Sequence, residues 1–141
     1  MNVGYNFELR KAYYNVITAI SYNSVPLQVF DDHVTDETES PYVVIGSMNS
    51  SDDRNKCDST EECSVVIDIV SGFGQGGRKT VDEIASLIIA AKGSLRQALT
   101  NITTSFALMD VYKITDNTLT VQSGTNKIYR RIITFGHIVT Q

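Results

Sequence analysis

The sequence predicts a single α+β domain: a mostly antiparallel sheet with two helices packed on one face and a long projecting β-hairpin arm. Three observations predict it. At 141 residues the chain has room for one core and no second one. Its apolar residues follow helical spacing in two stretches and β-type runs or alternation elsewhere. These stretches fall in the order α-β-β-β-α-β-β-β, which suits helices laid on one side of a sheet.

The first helix is carried by Leu9, Tyr13, Val16, Ile17 and Ile20, which recur as one stripe between Phe7 and Ser21, while Arg10, Lys11 and Asn15 fall off it. Asn23, Ser24 and Pro26 end this segment through turn chemistry and the extended bias before proline. A short strand follows over Leu27–Phe30, then an acidic, unpatterned loop from Asp31 to Ser40. Pro41 opens Tyr42-Val43-Val44-Ile45-Gly46, apolar at both alternating sets of positions, so this strand is expected to be covered on both faces. Residues 47–64 are too polar for core and read as the projecting tip of a hairpin whose second strand is Val65–Phe73.

Thr80-Val81-Asp82-Glu83 has the capping-box form, which predicts a second helix starting at Thr80 and running to Gly93, with a further short turn or helix over Ser94–Leu99. Three more strands are expected: Phe106–Ile114, Leu119–Gln122 after a turn at Asp116-Asn117, and Lys127–Val139 after a turn at 123–126.

Charge is unevenly spread. Residues 31–62 hold ten of the sixteen acids and only Arg54 and Lys56, whereas residues 78–131 hold eight bases and four acids. A net charge of −4 excludes broad phosphate contact as the way this chain works. The polarity instead suits copies that meet head to tail, an acidic patch on a basic one. The charged share, 20%, is a little low, as expected of a surface partly buried in an assembly. The interface candidates are the acids Asp52, Asp53, Glu61 and Glu62, the bases Arg78, Lys79, Arg130 and Arg131, and Tyr14, an aromatic off the helix stripe.

Catalytic and metal chemistry find little support. Gly72 to Thr80 lies between a strand and a helix and ends in Lys-Thr, but Arg78 stands where a phosphate-binding loop needs glycine. A small nucleotide- or ligand-binding regulator using this loop is the alternative reading. Cys57 and Cys63 form one widely spaced pair without a second, and His33 and His137 stand alone, so no metal site or cofactor is expected and the cysteines read as thiols. No Gly-x-Ser-x-Gly element is present, and His137 reads as a strand-face residue. With no apolar run near the length of a bilayer span and no secretory leader pattern, the expectation is a cytosolic chain without membrane contact.

Taken in order, the Leu9–Ile20 stripe, Pro41-Tyr42-Val43-Val44-Ile45-Gly46, Val65-Val66-Ile67-Asp68-Ile69-Val70-Ser71, Val81-Asp82-Glu83-Ile84-Ala85 and Arg130-Arg131-Ile132-Ile133-Thr134-Phe135 resemble the tail-completion or tail-terminator proteins of tailed phages. Pro-Tyr-Val-Val-Ile-Gly is the sharpest piece. The resemblance implies a non-enzymatic virion subunit, assembled in the host cytoplasm. It would form a homo-oligomeric ring, typically hexameric with a dodecamer as the variant, around the DNA channel at the head-proximal end of the tail. Its implied partners are the tail-tube protein and neck or portal-side proteins, with a connector ring of a short-tailed phage as a variant of the same role. The chain departs from the pattern at Val70, where an aromatic is common, and in its long glycine-rich loop.

Overall fold

The structure is a computed structural model and describes residues 5–31, 41–52, 60–72, 77–104, 107–123 and 126–140. Helix α1 (Tyr5–Thr18) leads into a miniature hairpin, β1 (Ser21–Tyr22) with β2 (Val25–Pro26). The two residues between them, Asn23 at φ 52° and Ser24 at φ 67°, are both left-handed, the backbone that the tightest hairpin turns require. The predicted turn is therefore there, but it folds a hairpin that the short-strand reading did not anticipate.

Five strands form the main sheet in the order β3-β4-β5-β7-β6. β3 (Val29–Asp31) is parallel to β4 (Tyr42–Asp52) over Val43–Ile45, and β5 (Thr60–Gly72), β7 (Asn126–Thr140) and β6 (Ala107–Ser123) continue antiparallel. α2 (Gly77–Ala91) and α3 (Leu95–Ile102), joined by a single tight turn, complete the chain. The α+β reading is correct, and the short turn or helix predicted over Ser94–Leu99 is a third helix.

The core lies between one face of the sheet and the helices. Val43, Ile45, Cys63, Val65, Ile67, Ile69, Ile133, Phe135 and Val139 alternate on that face and meet Leu9, Tyr13 and Ile17 of α1, Val81, Ile84 and Ile88 of α2, and Leu95 and Leu99 of α3, all buried. On the other face Tyr42, Val44, Val66, Ile132 and Thr134 remain partly exposed. The expectation that the 42–46 strand is covered on both faces therefore fails within one chain. Its β-branched run does bury Val43 and Ile45, but nothing among the described residues packs over Val44.

Three element boundaries differ from the sequence reading for local reasons. The ladder runs well into 47–64: Met48 to Asp52 pair with Val65 to Glu61, and Glu61 to Ser64 sit between β4 and β7, so polar composition there reflects the uncovered face and the strand ends. Residues 53–59 lie outside the described residues. α2 begins at Gly77, earlier than Thr80. Gly77 takes φ +55°, and a Cβ there would stand 3.0 Å from the Tyr129 ring, so only glycine fits. Thr80 is buried inside the helix, and Glu83 accepts a hydrogen bond from the Tyr22 hydroxyl at 2.9 Å in place of the predicted capping contact.

The third difference concerns the turn expected at Asp116-Asn117, which is not formed. β6 is one strand of 17 residues, bulged between Leu108 and Asp110 and between Lys113 and Thr115. Asp116 pairs with Ile133 in the ladder, and its carboxylate takes two hydrogen bonds from Arg131 on β7, at 2.8 and 2.6 Å. A diagonal cross-strand ion pair of this kind gives Asp116 a partner that a turn would not.

Candidate assembly interface

The predicted interface residues fall in three places. Asp52 ends β4, its backbone paired with Glu61, and Asp53 lies outside the described residues. Neighbours on β5, Glu61 and Glu62 point to opposite faces. Glu61 is buried on the helix side and Glu62 is exposed on the uncovered side. There, burial, with Glu62 and Asp110 beside it, pushes the Tyr112 hydroxyl above its ordinary value.

Arg130 and Arg131 are committed within the chain. Arg130 reaches across the uncovered face to Asp68, bonding both carboxylate oxygens. Arg131 bonds Asp116 and also Asp82 of α2 at 3.1 Å, tying sheet to helix. The Arg131 hydrogen bond, aided by Lys113, holds the Asp116 carboxyl below the usual range. The sequence marks Arg130 and Arg131 as interface candidates; it does not show their engagement with Asp68, Asp82 and Asp116, because those acids stand far off in sequence. Arg78 and Lys79 are exposed in the first turn of α2. Arg78 lies 5.7 Å above the Tyr129 ring centroid, and Lys79 is 3.8 Å from Glu83.

Tyr14 is 46% exposed on α1 beside Phe7 at 61%. They line a shallow groove with Arg10, Lys11, Asp31 and Ile45 on the β3–β4 flank of the sheet. The opposite flank carries a feature that the sequence reading missed. Edge strand β6 exposes Met109, Ile114, Leu119 and Val121. Alternation of Leu119 and Val121 with Thr118 and Thr120 looks like a half-buried strand; only the strand order places it at the edge. One chain thus offers unlike apolar patches on two opposite flanks, the arrangement that a repeating heterologous contact uses.

Residues 16–132 match the family model described as tail completion protein gp17. The chain belongs to the tail completion protein gp17 family. It is thereby a phage tail structural protein, and the family resemblance read from Pro41–Gly46 and its companions is correct. Among solved structures, a chain of the virion of a native gene transfer agent (GTA) particle shares the fold, with TM-score 0.67 at 15% identity over 99% of this chain and 100% of that one. No curated protein matches the chain in sequence. Among the described residues no helix is long and apolar enough to cross a membrane, and no group of His, Cys, Asp and Glu could hold a metal ion.

Proposed function

We propose that this tail completion protein closes the head-proximal end of a phage tail as a homo-oligomeric ring around the DNA channel, with a structural role and no reaction of its own. The family match over 16–132 carries the reading. Its likeness in fold to a chain of a gene transfer agent virion supports a place in a phage-like particle. The two apolar flanks support the ring, because a contact between unlike patches repeated by rotation closes a circle. Six copies are the working number, and the ring's two sides would meet the tail-tube protein and the neck or portal-side proteins. Asp52, Glu61 and Glu62 stand at one end of the β4–β5 pair, Asp53 follows Asp52 in the sequence, and an acidic fringe formed by these residues would repel passing DNA and leave it free to slide.

The test is to make particles without the chain and with it restored. Filled heads and tails that fail to join, and a ring density at the junction on restoration, are the expected results. Normal joined particles in its absence would end the reading. Within it, replacing the four acids by Lys tests the fringe: light scattering that shows unchanged assembly, with unchanged DNA passage, removes them from the interface.

A further inference from the structure

We propose that neighbouring copies in this ring join by backbone pairing, the free edge of β6 on one copy adding as an antiparallel strand to the free edge of β4 on the next. The inference rests on the ring reading and names its contact.

Both edges are open where they need to be. β3 covers β4 only at Val43–Ile45, so among the described residues no strand pairs with the outer edge of Gly46–Asp52. On β6 the first half is guarded. It carries both bulges and Lys113, and Arg96 of α3 donates to the carbonyls of Leu108 at 3.0 Å and Met109 at 2.8 Å. From Thr115 to Val121 the ladder to β7 is regular, and beyond Asp116 this stretch holds no charge and no proline. Natural sheets protect edges of that kind unless something pairs with them.

Strand direction also fits. β4, β5, β7 and β6 alternate in sense, so β6 runs opposite to β4, and rotation about an axis alongside the strands brings the next copy's β4 antiparallel to it. The lengths agree as well. With Leu119 opposite Asn49 of the next copy, Asn117 meets Ser51 and Gln122 meets Gly46, and β6 ends at Ser123, where the neighbour's β3 begins to occupy its own β4.

The required stagger is that of a closing sheet. Within one copy Asn49 lies level with Ser64, Gly136 and Tyr112. Moving the partner of Asn49 from Tyr112 to Leu119, across one bulge, slides the strands by roughly 20 Å at about 3.3 Å per residue. Four strand spacings of about 4.8 Å span roughly 19 Å, so the strands tilt by about 45°, within the range at which sheets close on themselves.

Disulfide trapping in assembled particles tests this. In a Cys57→Ser background, Asn49→Cys, level with Ser64 in the ladder, is combined in turn with Asn117→Cys, Leu119→Cys and Val121→Cys, which lie on the uncovered face as Ser64 does. Inside one copy these positions lie three strands apart, roughly 14 Å, too far for a bond. The expected result is a ladder of covalent multimers on a non-reducing gel, ending at the ring's copy number, for at least one pair. A ring seen by electron microscopy with no ladder from any pair overturns the edge pairing and leaves the ring reading standing. A dimer from Leu119→Cys alone would mean two-fold pairing of β6 with itself, and links only to other particle proteins would mean a foreign strand; either overturns the inference. Absence of any ring removes the functional reading along with it.

Discussion

The Tyr13 hydroxyl on α1 meets Nε2 of His137 on β7, while Nδ1 of the same imidazole donates to the Cys63 carbonyl at 2.9 Å. His137 is fully buried, and with one nitrogen donating and the other accepting it is neutral. Burial lowers its pKa to about 4, against the upward pull of the Cys63 carbonyl, and burial raises that of Tyr13. Unfolded, His137 takes a proton near pH 6.5; folded, it resists down to about 4. Between those values the unfolded chain binds more protons, so stability falls as pH falls. The loss is about 2 kcal/mol between pH 7 and pH 5 and about 3 kcal/mol by pH 4. Urea melts across this range should show that slope, and His137→Leu should remove it while lowering the pH 7 baseline, since the Tyr13 hydroxyl is then buried without its partner. A slope unchanged in the variant would contradict the assignment.

On the uncovered face the Tyr112 ring lies against Gly136, the residue opposite it in the β6–β7 ladder, so closely that a Cβ there would collide with the ring. Gly136→Ala should therefore push the ring off the sheet and cost about 1 kcal/mol. In a Tyr112→Ala background the same change should be neutral or stabilise by about 0.5 kcal/mol, because alanine loses less backbone freedom in a strand. A double-mutant cycle by chemical denaturation reads the coupling; additive effects would show that the ring does not matter to Gly136.

The parts of this fold legible in the sequence are those set by short-range pattern. The Leu9–Ile17 stripe and the Val65–Ile69 alternation each report which side of one element meets the core: Leu9, Tyr13 and Ile17, and Val65, Ile67 and Ile69, are buried. What failed depended on distant partners. Thr80 and Glu83 carry a helix-start signature, but Tyr22, far away in sequence, engages both side chains. Asp116-Asn117 carries a turn signature, but Arg131 holds Asp116 in a strand. For the candidate interface, the sequence marks the uneven charge and Tyr14, whereas the exposed β6 edge is not legible because nothing in Thr118–Val121 distinguishes an edge strand from a central one.

Arg131 joins β6, β7 and α2 through Asp116 and Asp82, with only 20% of its side chain exposed. Arg131→Met keeps most of the packing volume but leaves the Asp116 carboxylate, 15% exposed, with Lys113 alone. The expected cost at pH 7 is about 2 kcal/mol, mostly from that stranded charge. Because the folded-state pKa of Asp116 is depressed, its contribution is complete above the unfolded carboxylate value and is lost as pH drops below about 4. The gap between wild type and Arg131→Met should therefore narrow as pH falls below about 4. A gap that persists there would place the effect in packing.

Leu119 and Val121 separate folding from assembly. At 44% and 40% exposed they contribute little to the core, and they flank Arg130 and Ile128 on the uncovered face. Leu119→Glu with Val121→Lys adds one charge of each sign, so net charge is unchanged and the introduced carboxylate can face Arg130. Stability of the isolated chain should stay within about 0.5 kcal/mol of wild type by thermal melt. Assembly should nonetheless fail, because two charges then stand in the middle of the apolar flank that the next copy must cover. Light scattering at the concentration where wild type multimerises, together with complementation of particles lacking the chain, measures that loss. A variant that folds, multimerises and restores joined particles as well as wild type would move the subunit contact away from β6 altogether.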